Sequence, residues 1–266
     1  MRKYKNFCVL TIAGSDSGAG AGIQADSRTI CAFGGHPLTA ITAITAQNTA
    51  GVLAWQAVPP DLIRLQIKAV LEDFSVKAVK TGLLPGTAAI LAVEKALKNH
   101  SKLPLVVDPV IASTSGTRFL SDAGIRALKK NLLPRAALVT PNLPEAEALT
   151  GVRIRSASDV ERAARRILET GCGAVLVKGG HGRGAICRDF LATSKGFSRW
   201  FESPRIETRN THGTGCVLSS AIASALAAGR PLQQAVEEGR RFLLQSLKAG
   251  RSLRWGKGKG PAFSAA

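Results

Sequence analysis

Short strand-like runs, several of them continuously apolar, alternate with segments of helical spacing along nearly the whole chain. The runs at 7–13, 76–80, 105–108, 137–140 and 174–178 read as strands. Helices are predicted over about 19–33, 61–74, 87–98, 121–132, 158–170, 215–228 and 231–249. In the second of these the spacing is carried by Leu62, Leu65, Ile67, Val70 and Leu71. Ser121 is placed as a cap with Asp122 in the favourable first turn. Residues 38–46 alternate Thr or Ala with Ile as a further strand, and a hairpin is expected over 184–188 and 197–201. Strands that are apolar throughout are expected where helices cover both faces of a sheet. The fold class that follows is α/β, a three-layer α/β/α sandwich with a mostly parallel central sheet. With 266 residues, the chain is read as a single domain spanning 1–266.

Open sheets of this kind bind ligands beyond the carboxyl ends of their strands, and unusual polar residues fall there repeatedly. The strongest pattern is Asn210-Thr211-His212-Gly213-Thr214-Gly215-Cys216, directly before an apolar helix. Two glycines let backbone N–H groups approach a ligand, and the helix N-terminus adds free donors and positive potential. The N–H groups of Gly213, Thr214 and Gly215 can stabilise charge on a transferring phosphoryl group. Cys216, in the first helical turn, is expected to have a lowered pKa and to serve as a catalytic base; a purely structural thiol is the alternative. His212 is read as positioning the backbone of the turn.

The other strand ends supply further candidates. The stretch 14–26 is glycine-rich, yet Ile23 stands where a Gly-x-Gly-x-x-Gly fingerprint needs glycine, and no Gly-x-x-x-x-Gly-Lys-Ser/Thr occurs anywhere. Asp26 after this loop either accepts hydrogen bonds from a heterocycle or is an ordinary solvated helix residue. Gln47 either meets a heterocycle with its amide or serves a local turn. Asp108 could hold Mg²⁺ through water, and Asn142 with Glu145 are metal-water or phosphate neighbours in a proline-rich loop. Lys178, before Gly179 and Gly180, can meet triphosphate charge, while His181 is read as a loop hydrogen-bonder.

The formal charge of +18 favours polyanions. The cations are spread along the chain, however, and aromatic residues are too sparse for a single-strand stacking platform. A nucleic-acid-binding or ligand-sensing protein is the competing class. Five scattered cysteines and four scattered histidines fit neither a zinc site nor a disulfide framework. No run has the length of a membrane span and no secretory signal is evident, so a cytoplasmic location is expected. The basic tail after Gly250 is expected to be ordered only where it meets a ligand.

Taken in order, 11–16, 20–26, 45–49, 80–83, 107–110, 140–146, 177–181 and 210–216 resemble the bacterial hydroxymethylpyrimidine/phosphomethylpyrimidine kinases of the ribokinase-like superfamily. The resemblance implies ATP- and Mg²⁺-dependent phosphorylation of 4-amino-5-hydroxymethyl-2-methylpyrimidine and then of its monophosphate, within thiamine biosynthesis. It implies Asp26 and Gln47 at the pyrimidine, with Leu83 and Val110 as apolar walls. Asp108, Asn142, Lys178 and Thr214 would lie on the nucleotide side, with Asp108 and Glu145 toward the metal. Gly213, Gly215 and Cys216 would form the anion hole and base, in a homodimer. Pyridoxal or pyridoxine kinase is the nearest alternative activity. Leu83 stands where the family commonly has methionine, Thr117 replaces a frequent aspartate, and the ending 256–263 lacks the usual Asn/His-His-Phe continuation.

Overall fold

The computed structural model describes residues 7–113, 116–180 and 184–262; His181 and Phe263 lie outside them. The first half runs β1 (Cys8–Asp16), α1 (Gly22–Ala32), β2 (His36–Asn48), β3 (Gly51–Ala57), α2 (Pro60–Asp73), β4 (Val76–Thr81), α3 (Gly86–Leu97) and β5 (Leu105–Val107). It continues with α4 (Asp122–Asn131), a 3-10 turn (Leu133–Arg135), β6 (Leu138–Val139), α5 (Leu143–Thr150), α6 (Ala157–Leu168) and β7 (Ala174–Val177). The hairpin β8 (Ile186–Thr193) and β9 (Ser198–Pro204) precedes α7 (Thr214–Ala227) and α8 (Leu232–Ala249).

The strands form one sheet in the order β3-β2-β1-β4-β5-β6-β7-β8-β9. The six from β2 to β7 are parallel, and β3, β8 and β9 add antiparallel pairs at the two edges. Side-chain alternation along a strand feeds two helical layers. Leu105, Val107, Val175 and Val177 pack with Ile63, Ile90, Leu128 and Ile167 on one face. Val106, Ala174 and Leu176 pack with Ile30, Leu218, Ile222 and Val236 on the other. Thus α2 to α6 cover one face and α1, α7 and α8 the opposite one. That is the three-layer sandwich expected from the unbroken apolar runs.

Three local details differ from the sequence expectation. Strand β3 was not anticipated, because most of its side chains are exposed and leave no buried pattern. Helix α5 occupies the stretch read as a proline-rich loop. Pro144 lies in its first turn, where a missing N–H costs nothing, and Gly151 ends it in the left-handed region at φ 72°. Helix α6 begins at Ala157, one residue before the expected start at 158, and is capped by Ser156, which exchanges capping bonds with Asp159.

The tail is tied down by protein groups alone. Lys259 N–H donates to the Thr49 carbonyl at 2.9 Å, and His212 N–H donates to Gly260 at 3.0 Å. Asn210 Nδ2 donates to the carbonyls of Gly250 and Leu253, both at 2.7 Å. The described tail therefore needs no ligand to acquire hydrogen-bond partners, contrary to expectation.

Candidate active site

A cavity of about 490 Å³ opens across the carboxyl ends of the parallel strands. Its floor is made where strands stop: Asp16 ends β1, Asp108 follows β5, Asn142 follows β6 and Lys178 follows β7. The bend ahead of α7 forms the adjoining wall with Gly213, Thr214, Gly215 and Cys216. Residues separated by up to 200 positions meet here because parallel strands all terminate on the same side.

The anionic and cationic groups are held by one another. Lys178 Nζ donates to Asp108 Oδ1 at 2.7 Å, and Thr140 Oγ1 donates to the same oxygen at 3.2 Å. Burial alone would depress the Lys178 ammonium, but the Asp108 and Glu145 carboxylates outweigh it and hold its pKa above the ordinary value. The N-terminus of α7 packs tightly on this pair. A Cβ at Gly215 would lie 3.1 Å from Lys178 Nζ and 3.3 Å from Asp108 Oδ2. Gly213 has φ 80°, and a Cβ there would come within 1.9 Å of the Gly20 carbonyl oxygen. Only glycine lets the bend turn this sharply against the first loop.

Asn142 and Glu145 line the cavity, but both also cap α5. Asn142 Oδ1 accepts from Glu145 N–H at 2.9 Å, and Glu145 Oε2 accepts from Asn142 N–H at 2.7 Å. Burial pushes the Glu145 carboxyl up to about 7, opposed by Lys178 and reinforced by the Asp108 charge. Among the described residues, no group of three His, Cys, Asp or Glu side chains is assembled as a metal cage. Asp108 and Glu145 are hard oxygen donors, and they fit a hydrated Mg²⁺ whose remaining ligands are water and phosphate.

The sequence expectation for the Cys216 pKa is reversed. The side chain faces the cavity, yet burial pushes its thiol up to about 12. Lys80 and the Gly22 N–H act in the opposite direction, while Asp26 and Asp108 add to the rise. A helix N-terminus lowers a thiol pKa by a local field, and here desolvation and two carboxylates outweigh it. In the ligand-free cavity Cys216 is a neutral thiol.

Gln47, Leu83 and Val110 line the end of the cavity beside β2, β4 and β5. Leu83 packs in a small apolar cluster with Ala43 and Phe119, flanked by Val110 and Val52. Asp26 does not join them. Its carboxylate is fully buried beneath the site, where Lys80 Nζ donates to both oxygens at 2.9 and 2.8 Å. Thr11 and Ser220 hydroxyls donate to it as well. The helix position that suggested a ligand-facing carboxylate instead points inward, between β1, β4 and α7.

Asp16, rather than Asp26, is the carboxylate of the first loop that lines the cavity. Its Oδ1 accepts from Gly18 N–H at 2.8 Å, and Oδ2 accepts from Gly20 and Ala21 N–H at 3.0 and 2.8 Å. The loop so gathered includes Ala19 at φ 55°, a left-handed conformation unusual for alanine. Burial works against the Asp16 charge, but His212 and these backbone donors outweigh it and hold its pKa below the usual carboxylate value. Sequence reasoning passed over Asp16, although it stands at a strand end like Asp108. It also passed over the outer apolar wall of Ile206, Leu243, Leu244 and Leu247, since leucines at helical spacing read equally well as core. Thr117 exchanges hydrogen bonds with Ser113, which lines the cavity.

Comparison with known proteins agrees with this geometry. Residues 16–263 match the phosphomethylpyrimidine kinase family model. The chain is 46% identical to a hydroxymethylpyrimidine/phosphomethylpyrimidine kinase of Rhizobium meliloti, over 95% of this chain and 94% of that one. It is 44% identical to a thiamine biosynthesis bifunctional protein of Geobacter sulfurreducens over 95% of this chain, and spans about half (51%) of that longer relative. Among solved structures, Bacillus subtilis pyridoxal kinase in an ADP complex superposes with a TM-score of 0.89 at 32% identity, covering 97% of each chain. The phosphomethylpyrimidine kinase of Clostridium difficile superposes with a TM-score of 0.80 at 40% identity, covering 91% of this chain and 99% of that one. An α/β/α sandwich whose strand ends carry these motifs in order, matched over nearly its whole length, belongs to the phosphomethylpyrimidine kinase family.

Proposed function

We propose that this protein uses ATP to phosphorylate 4-amino-5-hydroxymethyl-2-methylpyrimidine and then converts the monophosphate to the diphosphate. The observation that carries the reading is the Lys178–Asp108 pair packed on Gly215 at the start of α7, open to the same cavity as Gln47, Leu83 and Val110. Phosphoryl transfer needs a cradle of donors around the moving group and an acceptor held in line with it. Lys178 and the N–H groups of Gly213 and Gly215 supply the first, while the Thr214 N–H donates to the Thr211 carbonyl at 3.4 Å; the Gln47 end of the cavity supplies the second.

Mg²⁺, when bound, would neutralise phosphate charge, with Asp108 and Glu145 as its protein neighbours. The outer apolar wall of Leu243, Leu244 and Leu247 offers a surface for the adenine base, and Thr214 and Asn142, which line the same cavity, are proposed on the nucleotide side. Cys216 lies beside the acceptor end. Its base role is proposed for the alcohol step alone, through the minor thiolate form: the thiol first gives its proton to solvent, and the thiolate then takes the proton of the attacking hydroxyl. A homodimer is proposed from the family and from the exposed apolar side chains Leu53 (79%) and Ile44 (59%) on the β2–β3 edge; sedimentation gives the mass. Among the described residues no helix is long and apolar enough to cross a membrane, and a cytoplasmic location is proposed on that basis.

Pyridoxal phosphorylation is the second reading, favoured by the close superposition on pyridoxal kinase. The test offers the protein MgATP with hydroxymethylpyrimidine, its monophosphate or pyridoxal, and follows phosphorylated products. Diphosphate formation from the pyrimidine is expected. Efficient pyridoxal turnover without pyrimidine diphosphate would overturn the proposal.

A further inference from the structure

The imidazole of His212 lies between two polar side chains that reach its Nε2 atom. Asp16 Oδ2 is 2.8 Å away and Gln47 Nε2, as the amide is placed, is 2.9 Å away. The ring is seated against the first loop: a Cβ on Gly20 would come within 2.2 Å of His212 Cδ2. The main chain of His212 is fixed as well, receiving Ala262 N–H at its carbonyl and donating its own N–H to Gly260. One residue thus joins the glycine loop, the bend ahead of α7, the tail and the Gln47 side chain.

Two partners on one ring nitrogen impose a choice. A neutral imidazole nitrogen either carries a proton or presents a lone pair. Asp16 is ionised, since three backbone N–H groups and the imidazole all favour its charge. A lone pair facing that carboxylate at 2.8 Å would be repulsive, so Nε2 carries the proton. The Gln47 amide must then turn its oxygen, not its NH₂ group, toward the ring. Half a turn of the amide exchanges the two without moving any other atom.

Building on the kinase reading above, we infer that His212 is a positioning residue which, anchored by Asp16, makes Gln47 present its NH₂ group to the cavity as a hydrogen-bond donor. The substrate ring facing Gln47 must then offer an acceptor, a ring nitrogen, rather than its exocyclic amine. The motif Thr-His-Gly-Thr-Gly-Cys therefore serves the acceptor through its histidine side chain and the phosphoryl group through its glycines.

Long-range ¹H–¹⁵N correlation spectra of the ligand-free protein, at a pH where imidazole is neutral, read the tautomer directly, with a His212→Asn spectrum assigning the signal. The Nε2–H tautomer is expected; an Nδ1–H tautomer would overturn the inference. Steady-state kinetics of Gln47→Glu supply a second readout. Glutamate keeps an oxygen toward His212 and loses the donor into the cavity, so the KM for the pyrimidine should rise at least ten-fold while the KM for ATP stays within two-fold. A pyrimidine KM unchanged within two-fold, in a folded variant, would also overturn the inference. If the wild-type protein phosphorylates neither pyrimidine, the kinase reading fails while the tautomer result still stands on its own.

Discussion

Lys80 places its ammonium between both oxygens of Asp26, and neither side chain is reached by solvent. The pair sits directly under the reacting end of the cavity and links α1 to β4. A buried pair of this kind contributes little compared with a well-packed apolar substitute, but losing one partner strands a charge.

Asp26→Asn should therefore destabilise the protein by about 3–5 kcal/mol, measured by denaturant unfolding. Lys80→Met paired with Asp26→Leu should recover a large part of that loss. If the single variant unfolds at the wild-type denaturant midpoint, the carboxylate is not the structural group described here.

Cys216 should react slowly with iodoacetamide at neutral pH. A thiol at about 12 is ionised in on the order of one molecule in 10⁴–10⁵ near pH 7.5. The exposed Cys31 should be alkylated well before it, as peptide mass spectrometry would show. Rapid labelling of Cys216 ahead of Cys31 would contradict the desolvated setting.

Cys216→Ser should reduce alcohol phosphorylation by about 10²-fold or more, the scale of a lost general base. The monophosphate step should suffer less than ten-fold, since a phosphate oxygen is already largely deprotonated. Equal losses in the two steps would remove the base assignment.

Gly215→Ala should cost activity without costing stability. Alanine in a helix is favoured by up to about 1 kcal/mol over glycine. The added methyl would press on Lys178 Nζ and Asp108 Oδ2. The kcat/KM for ATP should fall at least ten-fold with no loss of melting temperature. A variant as active as wild type would show that the pair does not meet the phosphates.

Glu145 links stability of the metal-free protein to pH. Its folded-state pKa of about 7 exceeds the ordinary 4.5, so the folded protein keeps a proton that the unfolded chain has lost. The contribution is present below about pH 4.5 and is lost as pH rises to about 7, amounting to about 3 kcal/mol at most. Glu145→Gln should flatten that part of the stability profile, read from unfolding midpoints across the window.

The two periodicities determined the architecture by themselves. Unbroken runs such as 105–107 and 174–177 can be buried only between two helical layers, and each polar residue at a strand end is then delivered to one side of the sheet. The glycines of 213–215 likewise encode a tight bend whatever surrounds them. Tertiary structure decided which polar groups face the ligand. Asp26 and Asp16 look alike as carboxylates flanking a glycine loop, yet one is turned onto Lys80, 54 residues away, and the other onto His212, 196 residues away. The thiol of Cys216 shows the same division: its helix-terminal position is written locally, while the burial and the carboxylates that raise its pKa come from elements distant along the chain. Local pattern fixes backbone direction over a few residues; desolvation and charge pairing depend on what other segments bring within a few ångströms.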